Sequence, residues 1–142
     1  MLIFLWAAMA GAEQPVSVNA KGQSNQIDVL ILGVDKSTQG PLLVYLYVES
    51  TWLKPEKAFK KATIKTQGKQ EYRWTLKDVP PGEYAVQVTH DEDSNGKLSM
   101  GLFGPSEGVG VSRYVPTFIP SFDKAKFKHA GTASRVKVQL DY

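Results

Sequence analysis

Asp91, Asp93 and Asn95 occupy alternate positions in the segment THDEDSNGKLSMGLFGPSEG, which covers residues 89–108. Ca²⁺ binds six to eight oxygen ligands, and a calcium loop supplies side-chain oxygens from its positions 1, 3 and 5. These three side chains have that spacing, and Glu107 offers a further carboxylate near the end of the segment. The pattern therefore predicts a Ca²⁺ site.

The rest of the segment fits a calcium loop in part. Gly96 stands at position 6, where the sharp turn needs glycine, Lys97 offers its backbone carbonyl at position 7, and Ser99 offers a hydroxyl or a bridging water at position 9. Leu102 stands where the EF-hand has its bidentate Glu, so Glu107 serves as a ligand only if the loop folds back. The predicted ligand set is Asp91, Asp93, Asn95, Lys97, Ser99 and Glu107.

Two other interpretations of the same segment stay open. Asp and Asn side chains also cap backbone amides in metal-free turns. A carboxylate pair formed by Glu107 and Asp93, with His90 nearby, would suit a hydrolase or a carbohydrate-active enzyme. His90 and Asp91 are neighbours on an expected strand, so their side chains point to opposite faces and do not form an Asp–His pair.

The elements that must position this segment are β-strands. Apolar residues alternate with polar ones, or form short continuous runs, in six segments separated by Gly/Pro-rich turns. The sequence predicts an all-β, antiparallel β-sandwich of about seven strands, with short helical turns at 55–62 and 121–127. The strand segments are 27–34, 42–49, 62–66, 71–76, 83–90 and 134–142, the last with Val136, Val138, Leu140 and Tyr142 inward.

Residues 91–130 interrupt this pattern. They hold five glycines and three prolines and show little strand periodicity. A connection of this length inside a compact domain is usually functional when it is ordered. We therefore expect any site of the protein to lie in this long irregular loop.

The N-terminus reads MLIFLWAAMAGAEQP, an apolar run followed by small residues at an Ala-x-Ala site. This pattern predicts a signal peptide over 1–12, a flexible segment over 13–26 and one domain over 27–142. We expect export to the periplasm or cell exterior of a bacterium, with no stable membrane insertion after signal cleavage. The net charge of +3 is scattered, so no nucleic-acid partner is expected, and the absence of cysteine removes thiolate chemistry.

Aromatic residues suggest a second kind of site. Trp52 follows a strand end, and with Tyr45 and Tyr47 it would form an apolar patch for a protein or glycan partner. Alternatively, Trp52 packs the 50–60 loop onto the sandwich. The sequence alone leaves both open.

Spaced residues across the chain resemble a family of small exported bacterial proteins, catalogued as domain of unknown function 2141. The resemblance covers about 27–142 and implies export and a sandwich related to transthyretin-like or carboxypeptidase-regulatory-like modules, with no established activity. The fold class that we expect is therefore a transthyretin-like or immunoglobulin-like sandwich. Where the family usually has Asn, this chain has Asp93, and where it usually has Asp, this chain has Ser99. The matching residues are Pro81, Gly82, Tyr84, Ala85, His90, Asp91, Asn95, Gly96, Leu98, Gly104, Glu107, Gly110, Ser112, Phe122, Ala125 and Phe127.

These observations favour an exported, non-enzymatic binding or structural module with a Ca²⁺ loop. The alternative is the hydrolase or carbohydrate-active enzyme that uses Glu107, Asp93 and His90.

Overall fold

The computed structural model describes residues 25–96, 100–101, 104–105 and 107–142. The expected signal peptide, nearly all of the expected flexible segment, Lys97 and Ser99 lie outside the described residues. The strands are β1 (Ile27–Leu32), β2 (Leu42–Tyr47), β3 (Lys60–Ile64), β4 (Tyr72–Leu76), β5 (Gly82–His90), β6 (Met100–Gly101), β7 (Gly104–Pro105), β8 (Val109–Val111), β9 (Phe127–His129) and β10 (Ser134–Gln139). One α-helical turn, α1 (Phe122–Ala125), lies between β8 and β9.

Two sheets face each other, as the strand pattern predicts. One has the order β10-β1-β4, and the other has the order β3-β2-β5-β8, with β9 also pairing with β5. Among the described strands the pairing is antiparallel in all but one case, since β1 runs parallel to β10 with Ile27 opposite Ser134. The all-β sandwich is therefore confirmed, with one parallel pair that the sequence did not indicate.

The core lies between the sheets because alternate residues of each strand point inward. In β1 the buried positions are every second residue, beginning at Ile27. The fully buried aliphatic side chains that the strands contribute to this core are Ile27, Val29, Ile31, Leu42, Val44, Leu46, Val86, Val88 and Val138. No helix in the described ranges is both long and apolar enough to cross a membrane.

One local prediction holds in part, and another is wrong. The expected helical turn over 55–62 is a three-residue 3₁₀ turn, Pro55–Lys57, and β3 begins at Lys60 because this segment pairs with β2. Tyr142, expected to point inward, is 53% exposed. The reason is that β10 ends at Gln139, before the alternation reaches Tyr142.

The long segment after β5 is folded back onto both sheets. β8 pairs with β5 and bridges to the far sheet, where Ser112 faces Val138. A Cβ atom on Gly110 would lie 2.4 Å from the carbonyl oxygen of Gln139, so only glycine permits this close approach. These contacts thus join the two sheets along one edge, where β8 lies next to β10, and hold the candidate site against β5.

Candidate functional site

Strand register brings Glu107 to Asp91. In the β5–β8 pair, Thr89 lies opposite Val109. The ladder continues by one bond, because the His90 N–H donates to the Gly108 carbonyl at 2.7 Å. The antiparallel register therefore places Glu107 across from Asp91, although the two are far apart in the sequence.

Three carboxylates form a compact cluster at this point. One oxygen from each of Asp91, Asp93 and Glu107 lies within 4.8 Å of the others. Asp91 is 1% exposed and Glu107 is 5% exposed, whereas Asp93 is exposed. A cation at this position would have hard oxygen ligands on a partly buried surface, the ligand type that Ca²⁺ prefers.

The Asp91 carboxylate also organises the turn that follows β5. Its Oδ1 accepts the Asn95 N–H at 3.1 Å, and its Oδ2 accepts the Gly96 N–H at 2.7 Å. The capped turn is therefore present, as one interpretation of the sequence expected. A carboxylate has about four lone-pair directions, so these two bonds leave positions that a metal ion can use.

Asp93 and Asn95 stabilise the exposed side of the turn. The Asn95 side-chain amide donates from Nδ2 to Asp93 Oδ2 at 3.1 Å. The Asp93 N–H donates to Glu107 Oε2 at 3.4 Å. Three of the six predicted ligands thus converge, and Asn95 contributes nitrogen donors to the turn.

The turn at Gly40 and Pro41 contacts the backbone of Asp91. The Asp91 N–H donates to the Pro41 carbonyl at 2.8 Å. Gly40 has φ +99°, and a Cβ there would lie 2.1 Å from the Asp91 carbonyl oxygen. Because no other residue fits, Gly40 fixes the backbone position from which Asp91 extends.

His90 does not join the carboxylates. It is fully buried, and its Nε2–H donates to the Gly40 carbonyl at 3.0 Å. Its Nδ1 accepts the Tyr142 hydroxyl proton at 2.7 Å, and that hydroxyl accepts the Asp35 N–H at 2.9 Å. Both ring nitrogens are therefore occupied by hydrogen bonds within the fold. Burial raises the pKa of Tyr142, which keeps the phenol protonated.

The aromatic residues divide between core and surface. Tyr47 is fully buried, and Trp52 packs edge-on between it and Phe122. The Trp52 indole N–H donates to the Pro120 carbonyl at 3.1 Å. Trp52 therefore packs its own loop and the segment around Pro120 onto the sandwich. Among the three aromatic residues of the expected patch, Tyr45 lines an open surface.

That surface is a cleft of about 1160 Å³ over the outer face of β2, β3 and β5. Gly96 and Glu107 belong to its lining, so the acidic cluster borders the cleft. The sequence analysis missed two lining residues, Gln87 and Thr89, on the outer face of β5. The signal was their polarity at alternate positions in an otherwise apolar strand. The other residues that line it are Leu43, Tyr45, Leu53, Pro55, Glu56, Lys61, Ala62, Thr63, Val109, Pro116, Thr117, Phe118, Ile119, Pro120, Asp141 and Tyr142.

Comparison with known proteins identifies the family. Residues 29–137 match the family model described as "Uncharacterized protein conserved in bacteria (DUF2141)". The match covers well over half of the chain, so the chain belongs to this family, as the spaced residues indicated. No curated protein and no solved structure matches the chain.

Proposed function

Starting from membership of this bacterial family, we propose that the protein is an exported, non-enzymatic binding module that holds Ca²⁺ at Asp91, Asp93 and Glu107. The observation that carries the proposal is the convergence of three carboxylates, two of them buried. At a separation of 4.8 Å, two unit charges repel by about 3 kcal/mol in a medium of effective dielectric about 20. A divalent cation would convert this repulsion into attraction.

Calcium suits this arrangement better than magnesium. Mg²⁺ demands near-ideal octahedral geometry, whereas Ca²⁺ accepts irregular sets of six to eight oxygens. Here the carboxylates come from one turn and from the end of a neighbouring strand, and their oxygens already accept backbone hydrogen bonds. With three carboxylates we expect modest affinity, with a Kd of about 0.1–1 mM, as in extracellular calcium modules.

The orientation of the His90 ring, which bonds Gly40 and Tyr142 and not the carboxylates, supports the non-enzymatic assignment. An enzyme that used Glu107, Asp93 and His90 would need all three to converge on a substrate. The His90 ring instead bonds Gly40 and Tyr142. The carboxylates alone are better suited to holding an ion.

Thermal unfolding of the purified protein in EDTA, in millimolar CaCl₂ and in MgCl₂ tests the proposal. At 10 mM CaCl₂ and the expected affinity, binding to the native state alone adds about 1.4–2.7 kcal/mol. For a domain of this size we expect the Tm to rise by about 5 °C or more. The rise should be absent, or much smaller, with MgCl₂.

Charge-removing variants locate the ion. Asp93→Asn is the sharpest, because Asp93 is exposed and its replacement should leave the fold intact. We expect Asp93→Asn and Glu107→Gln to reduce or abolish the calcium-dependent rise, while Glu71→Gln, an exposed acid outside the cluster, keeps it. A full rise in both cluster variants would refute this metal site.

Export is the other part of the proposal, and the apolar N-terminal run supports it. Cell fractionation and N-terminal sequencing of the natural protein provide the test. We expect a mature chain that begins at Glu13, outside the cytoplasm. A cytoplasmic protein that retains residues 1–12 would refute it.

A further inference from the structure

The floor of the cleft carries two polar side chains of β5, Gln87 and Thr89. Thr89 is 1% exposed, and its hydroxyl makes no hydrogen bond. Gln87 is 6% exposed and makes one side-chain bond, in which the Tyr47 hydroxyl donates to its Oε1 at 3.3 Å. The Gln87 Nε2 group makes no hydrogen bond to another described residue, but it is not fully enclosed; the enclosed group without a partner is the Thr89 hydroxyl. A buried polar group without a partner is rare and costly, and it calls for an explanation.

Strand register explains why the protein itself does not satisfy the Thr89 hydroxyl. Thr89 lies between Leu43 of β2 and Val109 of β8, and neither side chain can form a hydrogen bond. Thr89 and Gln87 are two positions apart on the same strand, so both point to the outer face. These two side chains therefore place neighbouring polar groups on the floor of the cleft.

Above this floor the cleft has apolar and aromatic walls. Tyr45 and Tyr142 contribute aromatic rings, and Phe118 and Ile119 are 62% and 66% exposed at the cleft. Burial, and then the negative charge of Asp91, raises the pKa of Tyr45, so its phenol remains a hydrogen-bond donor. Apolar walls with a few placed polar groups are typical of ligand sites, and the volume of about 1160 Å³ exceeds that of most small-molecule pockets.

Charge narrows the class of ligand. The described lining carries the carboxylates Glu56, Glu107 and Asp141 against the single cation Lys61. The adjoining cluster keeps one net negative charge when Ca²⁺ neutralises two of its three carboxylates. An anionic ligand would be repelled, whereas carboxylates accept hydrogen bonds readily from hydroxyl groups.

We propose that the cleft binds a neutral oligosaccharide, whose hydroxyls bond Gln87 and Thr89 on the floor and whose ring faces pack against Tyr45 and Phe118. The inference rests on the proposed function as a binding module and names its ligand class. Sugar hydroxyls both donate and accept, so one ligand type satisfies the Gln87 amide, the Thr89 hydroxyl and the carboxylates. The carboxylate cluster lies at the cleft border through Glu107, so a Ca²⁺ ion bound there could also accept sugar hydroxyls as ligands.

Isothermal titration calorimetry of the purified protein with cellohexaose, maltohexaose, laminarihexaose and chitohexaose, in millimolar CaCl₂, tests the inference. We expect binding to at least one of the four. Thr89→Val and Gln87→Leu should each weaken that binding by about tenfold, because they remove a group that the sugar would bond. Thr75→Val, on the other sheet, is the matched control and should bind as the natural protein does.

The unfolding temperature separates a binding role from a structural one. Val has nearly the shape of Thr and removes an unsatisfied hydroxyl, so Thr89→Val should unfold at the same or a higher temperature. A variant that is at least as stable but binds sugar about tenfold less tightly would support a ligand contact. Unchanged sugar binding in both floor variants would overturn the inference.

Two further outcomes distinguish this inference from the proposed function. A calcium-dependent Tm rise without binding of any of the four sugars would leave the calcium module standing and overturn the oligosaccharide site. Sugar binding in EDTA, with no calcium-dependent rise, would support the cleft and refute the metal site. Binding of a blocked, uncharged hexapeptide of alternating leucine and serine, in place of the sugars, would also overturn the inference.

Discussion

Two fully buried histidines stand at opposite ends of β5 in nearly the same hydrogen-bond arrangement. His90 ends the strand, and His129 pairs with Gly82 at its beginning. Each donates from Nε2 to a backbone carbonyl at 3.0 Å, of Gly40 for His90 and of Val79 for His129. Each accepts at Nδ1 from a hydroxyl.

The difference lies in what surrounds each pair of bonds. His129 bonds the Ser134 hydroxyl at 2.6 Å and packs edge-on against Tyr84, inside the sandwich. His90 bonds Tyr142, a residue that is 53% exposed, and its neighbour Asp91 belongs to the carboxylate cluster. His90 lies beside the carboxylate cluster, yet it makes the same hydrogen bonds as His129, which lies inside the sandwich. This similarity argues against a catalytic role for His90.

The largest expected effect is truncation of either histidine. We expect His129→Ala to lower the free energy of unfolding by about 3 kcal/mol, because it leaves a cavity and an unpaired, fully buried Val79 carbonyl. His90→Ala should cost less, about 2 kcal/mol, because Thr66 also donates to the Gly40 carbonyl, at 2.8 Å. Urea unfolding measures the two losses of free energy, with the exposed Lys128→Ala as control. A larger loss for His90→Ala than for His129→Ala would contradict this prediction.

Calcium should act on one end of β5 alone. If the ion binds as proposed, amide hydrogen exchange at Asn95 and Gly96 should slow about tenfold to a hundredfold in saturating CaCl₂. Amides of β9 that exchange by local opening should be unaffected. Equal slowing of locally opening amides at both ends would contradict an ion site confined to the turn.

Removing the two hydroxyls tests the partners of the histidines. Tyr142→Phe removes a group that accepts from Asp35 and donates to His90, and Ser134→Ala removes the donor to His129. We expect each to cost about 1 kcal/mol of unfolding free energy. A loss smaller than about 0.3 kcal/mol would show that solvent replaces the hydroxyl at that end.

The smallest effect is on pH dependence. Burial lowers the pKa of His129 below its ordinary value of 6.5, against the opposing effect of backbone hydrogen bonds. The neutral ring is thus favoured in the fold, so its stabilisation is complete above pH 6.5 and is lost as pH falls through the lower folded pKa.

Chemical unfolding at a series of pH values checks this dependence. His129→Gln should flatten the loss of stability below pH 6.5, because glutamine does not titrate. His90→Gln serves as the comparison and should keep the loss. An equally steep decline in His129→Gln would assign the pH dependence to other groups.

The sequence predicted the sandwich and the acidic turn because both depend on local patterns. Alternation within Ile27–Leu32 defines a strand, and the spacing from Asp91 to Gly96 defines a capped turn. Glu107 was recognised only as a conditional ligand, because its position depends on the register of β8 against β5. Parallel pairing of the first and last strands is likewise set by tertiary packing, which no local pattern encodes.

The burial of the aromatic residues also depends on tertiary packing that local sequence patterns do not encode. Tyr45 and Tyr47 look equivalent in the sequence, yet one lines the cleft and the other is covered by Trp52. What differs is the chain that packs over each residue, and that chain is distant in sequence. Burial on the outer face of a sheet is therefore not readable from strand periodicity.

The parallel pairing of β1 with β10 should delay folding during synthesis. Ile27 meets Ser134 in this pair, so β1 lacks one of its two neighbours until almost the whole domain has left the ribosome. Contacts between such distant residues close late, and β-sandwiches dominated by them fold on the order of milliseconds to seconds. A nascent chain of this protein should therefore stay unfolded until its final strand emerges.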